Sequence, residues 1–463
     1  MDTIAGDPKA TPPSLRGNQA PVRVESTLEP KIRGKIPEGL RGALFRNGPN
    51  PQFDPGSGYH PFLGDGMIHG FWLNEGKARY ANRYVRTPRW LTERAAGRPL
   101  FGGLGTPSDP SVEKILSGGA NTHIVYHGGK LLALQEGSNP FELDKDDLSS
   151  RGWVQTGGRF TAHPKVDPVN GEMIWFAYSA GESPLNADLD YGISDASGRI
   201  LRRDRFKAPY CSMVHDFIVT ENYTAFPVLP LTGDLDRAKR GLPAFAWEPE
   251  KGAFVGLMAR NASVDSVRWI EVDPVYAFHP ANAYEAGGHL HVDMMEYPSA
   301  PLFPNPDGSR RAPVKARLVH WSIDLNDPAA RVLRAPVSDL VGEFPRFDER
   351  FAGLPYRHCW QAANVAMNEA LMFDSLAHVD LKTRRETVRT FSNGDSVGEP
   401  VFVPRGHRAP EGEGWILAVV HRAAEGRSDL LILNAQDIGG EPEAVLELPV
   451  RVPAGFHGSW VDG

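Results

Sequence analysis

Short runs of β-branched and aromatic residues, each closed by a Gly- or Asn-containing turn, recur along the chain and predict antiparallel hairpins. THIVY, HGGK and LLALQ in succession form the clearest one, and KVDP-VNGE-MIWFAYS, FIVT-ENYT-AFPVL and AYEA-GGH-LHVDMM repeat the pattern. Helical periodicity is scarce. Its best candidates, SVEKILS (Ser111–Ser117) and DLDRAKR (Asp234–Arg240), are too short to organise a domain and read as insertions on a β scaffold. Roughly 440 residues of hairpins without a linker exceed one β-sandwich, whereas a propeller of four-stranded blades closes such a chain on itself. No WD- or kelch-like repeat marks a fixed period. Residues 1–21 are polar, Pro-rich and aperiodic, and read as a disordered arm ahead of one domain spanning 22–463.

Composition narrows the partners. With 48 Gly and 40 Pro in 463 residues the chain is rich in turns without being low-complexity. A formal charge of -7 supplies no broad basic face, so nucleic acid is not an expected partner. Cys211 and Cys359 are the only cysteines, too few for a disulfide scaffold, and a reducing compartment, the cytoplasm, is expected. The N-terminus lacks the basic head and apolar run of a signal peptide, and no later stretch is apolar enough to span a bilayer.

Nucleophile and phosphate-loop chemistry find no support, because G-x-S-x-G and GxxxxGK[ST] are both missing and neither cysteine has a nucleophile's context. Histidine remains, with 15 in the chain. His289 with His291, and His123 with His127, each share a strand face and are candidate chelating pairs, although both flank Gly-Gly turns where solvated polar residues are ordinary. His163, His215, His279 and His457 stand apart, each single and set among apolar or aromatic neighbours. A buried imidazole needs a partner or a metal. Their separations of 52, 64 and 178 residues correspond to one, one and three blades if a blade takes about 60 residues. Four unrelated core histidines bonded to carbonyls would look the same at this level.

The sequence resembles the carotenoid cleavage oxygenases, the family that also includes stilbene-cleaving dioxygenases and the vertebrate retinoid isomerase of the pigment epithelium. The resemblance spans nearly the whole chain after the arm. It is carried in order by LFRNGPNPQF (Leu44–Phe53), GDGMIHG (Gly64–Gly70), GGANTH (Gly118–His123), LLALQEG (Leu131–Gly137), AHPKVDP, MVHDF, FHPANAYE, EFPRFDERFAGLPYRH (Glu343–His358), GEPVFVPR (Gly398–Arg405) and GFHGSW. It implies an all-β, seven-bladed β-propeller with a dome of loops and short helices over one face. It also implies one Fe(2+) per chain on His163, His215, His279 and His457, with outer carboxylates Glu136, Glu343 and Glu399 accepting the other ring N–H groups. Imidazoles alone do not choose iron over copper or nickel. The two chelating pairs lose their claim.

The resemblance further implies that dioxygen cleaves a C=C bond into two carbonyl products, with Thr122 crowding one open iron position. Stilbene-cleaving members hold a 4-hydroxyl with a lysine and a tyrosine, and Gln135 and Leu104 stand at those places here, beside Phe101. A pocket without that grip is expected to prefer an apolar polyene, a carotenoid or apocarotenoid, over a stilbene or lignostilbene. Since such a substrate dissolves in membranes, Trp90, Leu91, Leu100, Phe101 and Leu104, with Arg89 and Arg98, form a candidate patch for peripheral membrane contact; packing under the dome is the alternative. A polyene isomerase and a non-catalytic binding propeller are the rival readings.

Overall fold

The paired-glycine turns close the hairpins as the sequence predicts. Gly128 and Gly129 have φ of 58° and 77°, and Gly287 and Gly288 have 56° and 79°, the left-handed pair that matches strand twist in a two-residue connection. They join His123–His127 to Lys130–Leu134, and Tyr276–Ala286 to His289–Tyr297. The computed structural model describes residues 15–55, 59–103, 107–366 and 372–463.

These hairpins assemble into seven blades. In the first, the C-terminal strand Gly458–Asp462 lies innermost and pairs with Gly42–Pro49, followed outward by Gly66–Asn74 and Lys77–Tyr84, so the two ends of the chain close the ring. The second, third and fourth blades have their inner strands at His123–His127, Lys165–Val166 and Ile218–Val219. The fifth and sixth share one seven-stranded sheet, because the 14-residue strand Leu333–Arg346 ends the fifth with its first half and starts the sixth with its second. The seventh surrounds Gly414–Arg422 and Arg427–Asn434 and takes Lys31–Gly34 as its outer edge.

The core lies between blades, where bulky rings interlock. Trp360 is buried against Phe402 at 4.9 Å and His378 at 5.1 Å between ring centres, and its indole N–H donates to Ala435 O. Truncating it to alanine empties a contact between neighbouring blades and strands a carbonyl. A loss of about 3–5 kcal/mol is expected in denaturant unfolding, read as a lower midpoint at unchanged slope.

Three expectations need correction. Ser111–Ser117 is not an α-helix: Asp109 caps only a single 3-10 turn at Pro110–Val112. The helix that does form, Pro88–Ala96, carries Trp90 and Leu91 of the candidate membrane patch. Its signals are local: the Thr87 side chain accepts from Trp90 N, Pro88 occupies the first turn, and Gly97 ends it at φ 67°. Asp234 caps the second helix, Leu235–Lys239, close to where it was expected. Finally, packing begins before Val22. Asn18 is buried, its carbonyl accepts from Ala454 N and Arg451 Nη1, and Arg451 Nη2 donates to Ala20 O. Residues 1–14 of the expected arm lie outside the described residues.

Candidate metal centre

All four singled-out histidines sit on or just before innermost strands. His163 and His215 immediately precede those of the third and fourth blades, His279 lies within that of the fifth, and His457 precedes Gly458–Asp462 in the first. The steps of one, one and three blades are therefore real. The four side chains are buried, and their candidate donor atoms all lie within 4.8 Å of one another.

Carboxylates fix the tautomers. His279 Nδ1 donates to Glu343 Oε2 at 2.6 Å and His457 Nδ1 to Glu399 Oε1 at 2.9 Å, while Glu136 Oε1 abuts His215 Nδ1. A proton held at Nδ1 leaves Nε2 with only its lone pair. Yet Nε2 of His215 and Nε2 of His279 face each other at 3.1 Å, and Nε2 of His163 is buried with no hydrogen-bond partner. Facing lone pairs repel unless a cation lies between them. Two nitrogens each about 2.1 Å from an ion and at right angles to one another would stand about 3.0 Å apart, so the donor set fits a divalent metal.

Burial favours neutral rings. It drives His163 well below the ordinary imidazole range and pulls His457 down to about 3. At His215 burial also pulls down, but the Glu136 carboxylate outweighs it and the net shift is upward. The carboxylates are secured in turn. Tyr178 donates its hydroxyl to Glu136 at 2.8 Å, Phe344 N donates to Glu343 at 2.7 Å, and Glu399 accepts from Gly458 N at 2.7 Å with Arg346 at 3.2 Å. Burial would raise Glu399, but Arg346 and His457 overcome it and hold the acid well below the usual range.

Local backbone geometry makes this possible. The strand register shifts between Glu343 and Arg346, and Phe344 has φ 56°, a left-handed value costly for a residue with a side chain. The bulge lets two consecutive residues reach the axis: Glu343 bonds His279, and the Phe344 ring lies 5.5 Å from His279 and 5.3 Å from His457.

A cavity of about 160 Å³ adjoins His215, His279 and His457, lined by Phe62, Phe278, Phe344, Phe456, Thr122 and Gln135 among others. Thr122 lines this cavity, with its hydroxyl donating to Asn121 Oδ1. Gln135 also lines the cavity, but its Oε1 accepts from Gly119 N at 2.5 Å and Ala120 N at 3.2 Å, so it braces the loop that carries Thr122. Phe101 belongs instead to a neighbouring cleft of about 380 Å³, beneath the Arg89 guanidinium at 5.5 Å. Leu104 lies outside the described residues.

The proposed greasy patch largely dissolves. Trp90 and Leu100 are buried, the helix turning Trp90 inward against Tyr84, and Arg89 faces Asp65 and donates to Leu63 O; among the described residues of the patch only Leu91 is a well-exposed large apolar residue. The discarded histidine pairs are not chelates: His123 and His127 bond the separate carbonyls of Ala162 and Gly171, and His291 pairs with His320.

Sequence reasoning missed Tyr178, Arg346 and Asp216, whose Oδ2 stands 3.7 Å from His163 Nδ1. The adjacency of His215 and Asp216 was the only available signal, and contacts across blades had none.

Comparison with known proteins agrees with this geometry. The family described as RPE65, retinal pigment epithelial membrane protein, matches residues 19–462. An isoeugenol monooxygenase of Pseudomonas putida is 37% identical over 97% of this chain and 98% of its own. The crystal structure of Pseudomonas brassicacearum lignostilbene dioxygenase superposes with a TM-score of 0.93 at 33% identity, covering 99% of this chain and 100% of that one. Cobalt-substituted Synechocystis ACO gives 0.86 at 30% identity, covering 96% and 97%. This chain belongs to the carotenoid cleavage oxygenase family, the family of RPE65.

Proposed function

We propose that this protein is a non-haem iron(II) oxygenase that splits the C=C bond of a small aryl alkene, of the isoeugenol or hydroxystilbene type, into two carbonyl products. The observation that carries the substrate class is the cavity lined by His215, His279 and His457. At about 160 Å³ it falls below the roughly 300–1,000 Å³ of sites for drug-sized ligands, and phenylalanine rings dominate its wall. A compact conjugated ring suits such a space better than a long polyene. Relatives named for isoeugenol, lignostilbene and resveratrol support the same reading.

Bound ferrous iron would supply the activation of dioxygen. The chain's own part is to hold and dry the site. Three carboxylates keep three of the imidazoles in one tautomer, the five phenylalanines of the wall shield the cavity from bulk water, and Thr122 crowds one side. Tyr178 keeps its proton, because burial and then Glu136 push its phenol well above the usual range, so it acts as a fixed donor.

A polyene substrate is the second reading, favoured by a glutamine at position 135 where stilbene cleavers are expected to carry lysine. That argument weakens because the Gln135 oxygen is committed to backbone. Anaerobically purified, iron-loaded enzyme offered isoeugenol, a 4-hydroxystilbene and an apocarotenal side by side is expected to cleave the aryl alkenes faster. Preference for the apocarotenal would reverse the assignment, and a rearranged product without carbonyls would point to the isomerase.

A further inference from the structure

Three of the four histidines present Nδ1 to a glutamate, and the fourth does not. His163 Nδ1 faces a carboxylate too, but Asp216 Oδ2 stops 3.7 Å away, beyond hydrogen-bond reach. The reason is visible next door. Lys165 Nζ contacts both Asp216 oxygens, at 2.8 Å and 2.9 Å, and Phe217 N donates to Oδ1 at 2.7 Å. The Asp216 side chain is 3% exposed and that of Lys165 is 29% exposed.

Lys165 reaches solvent through a second cavity, of about 170 Å³, on the far side of the histidines. The substrate cavity is lined by residues preceding the ligands, such as Met213 and Phe278, and this one by residues following them, such as Lys165, Phe217 and Pro280. Of its other charged lining residues, Asp167 and Arg260 pair with each other at 2.8 Å, and Glu221 is an exposed acid. Lys165 is thus the cation committed to Asp216.

We propose that the Lys165–Asp216 ion pair tunes the iron, by neutralising a fourth carboxylate and holding it off His163, so that this acid adds no net negative charge behind the fourth ligand. This rests on the iron reading above. An imidazole whose N–H is accepted by a carboxylate becomes a more basic ligand, and each added negative charge near the ion favours ferric over ferrous. The ferrous form is the one an oxygenase of this kind needs, so Lys165 is assigned as a positioning residue that preserves it.

The test compares iron-loaded wild type with Lys165→Met, Lys165→Arg, Asp216→Asn and the Lys165→Met/Asp216→Asn pair. Iron content, the ferric/ferrous midpoint potential, and the growth of the ferric EPR signal in air without substrate are read for each. Lys165→Met should lower the potential and oxidise faster by on the order of tenfold, Lys165→Arg should resemble wild type, and removing the Asp216 charge as well should restore the slow rate. Should Lys165→Met fold poorly, Lys165→Gln carries the same expectation. Iron-replete Lys165→Met or Lys165→Gln with wild-type potential and oxidation rate would overturn the proposal, as would a double variant that stays fast. A wild-type protein that takes up no iron would sink the functional reading itself, a separable outcome.

Discussion

Replacing His279 by alanine is expected to remove iron and turnover together while leaving the propeller folded. The substitution deletes the Nε2 that faces His215 at 3.1 Å, and it leaves Glu343 Oε2 with Phe344 N in place of two donors. Glu343 Oε1 is already buried without a hydrogen-bond partner, so a carboxylate built to back a metal ligand would be left to repel or protonate. Loss of affinity should exceed the roughly 10–100-fold expected for altering an outer carboxylate alone, the change expected for Glu343→Gln. Metal analysis after anaerobic purification, circular dichroism and alkene cleavage together read the result. An alanine variant that kept one iron per chain would contradict the ligand assignment.

Stripping the metal from wild-type protein with a chelator should abolish cleavage, with ferrous salt restoring it and zinc failing to. The cavity explains why no residual pathway is expected. Among its polar lining groups, the Tyr178 hydroxyl serves Glu136, the Thr122 hydroxyl serves Asn121, the Gln135 oxygen serves two backbone amides, and Glu136 and Glu343 back His215 and His279, so these groups are engaged in holding the site. Zinc can occupy four imidazoles but has no redox chemistry to offer. Zinc should therefore raise the melting temperature, since it binds the folded state, without raising activity. Restoration of turnover by zinc would indicate hydrolytic or isomerising chemistry and remove the oxygenase reading.

Patterns confined to a few neighbouring residues were legible in advance. The Gly-Gly hairpins at 128–129 and 287–288 formed as read, because left-handed φ at both turn positions is a local demand. The Pro88–Ala96 helix has local signals in Thr87 and Gly97, whereas its apolar residues by themselves suggest a surface patch. Trp90 went inward with that helix, and the membrane patch lost its centre.

What the linear chain determined by itself was the hairpin architecture, the four histidines apart from polar turns, and, through resemblance, the three glutamates behind them. Their spacing carried information because each blade advances the chain by a similar length to the axis. The tertiary structure alone decided that Gln135 braces a loop, that Phe344 adopts a strained turn so Glu343 can reach inward, and that Lys165 holds Asp216 away from His163. Those outcomes depend on distances between groups on different blades or across an irregular strand, and such distances are set by how the ring closes.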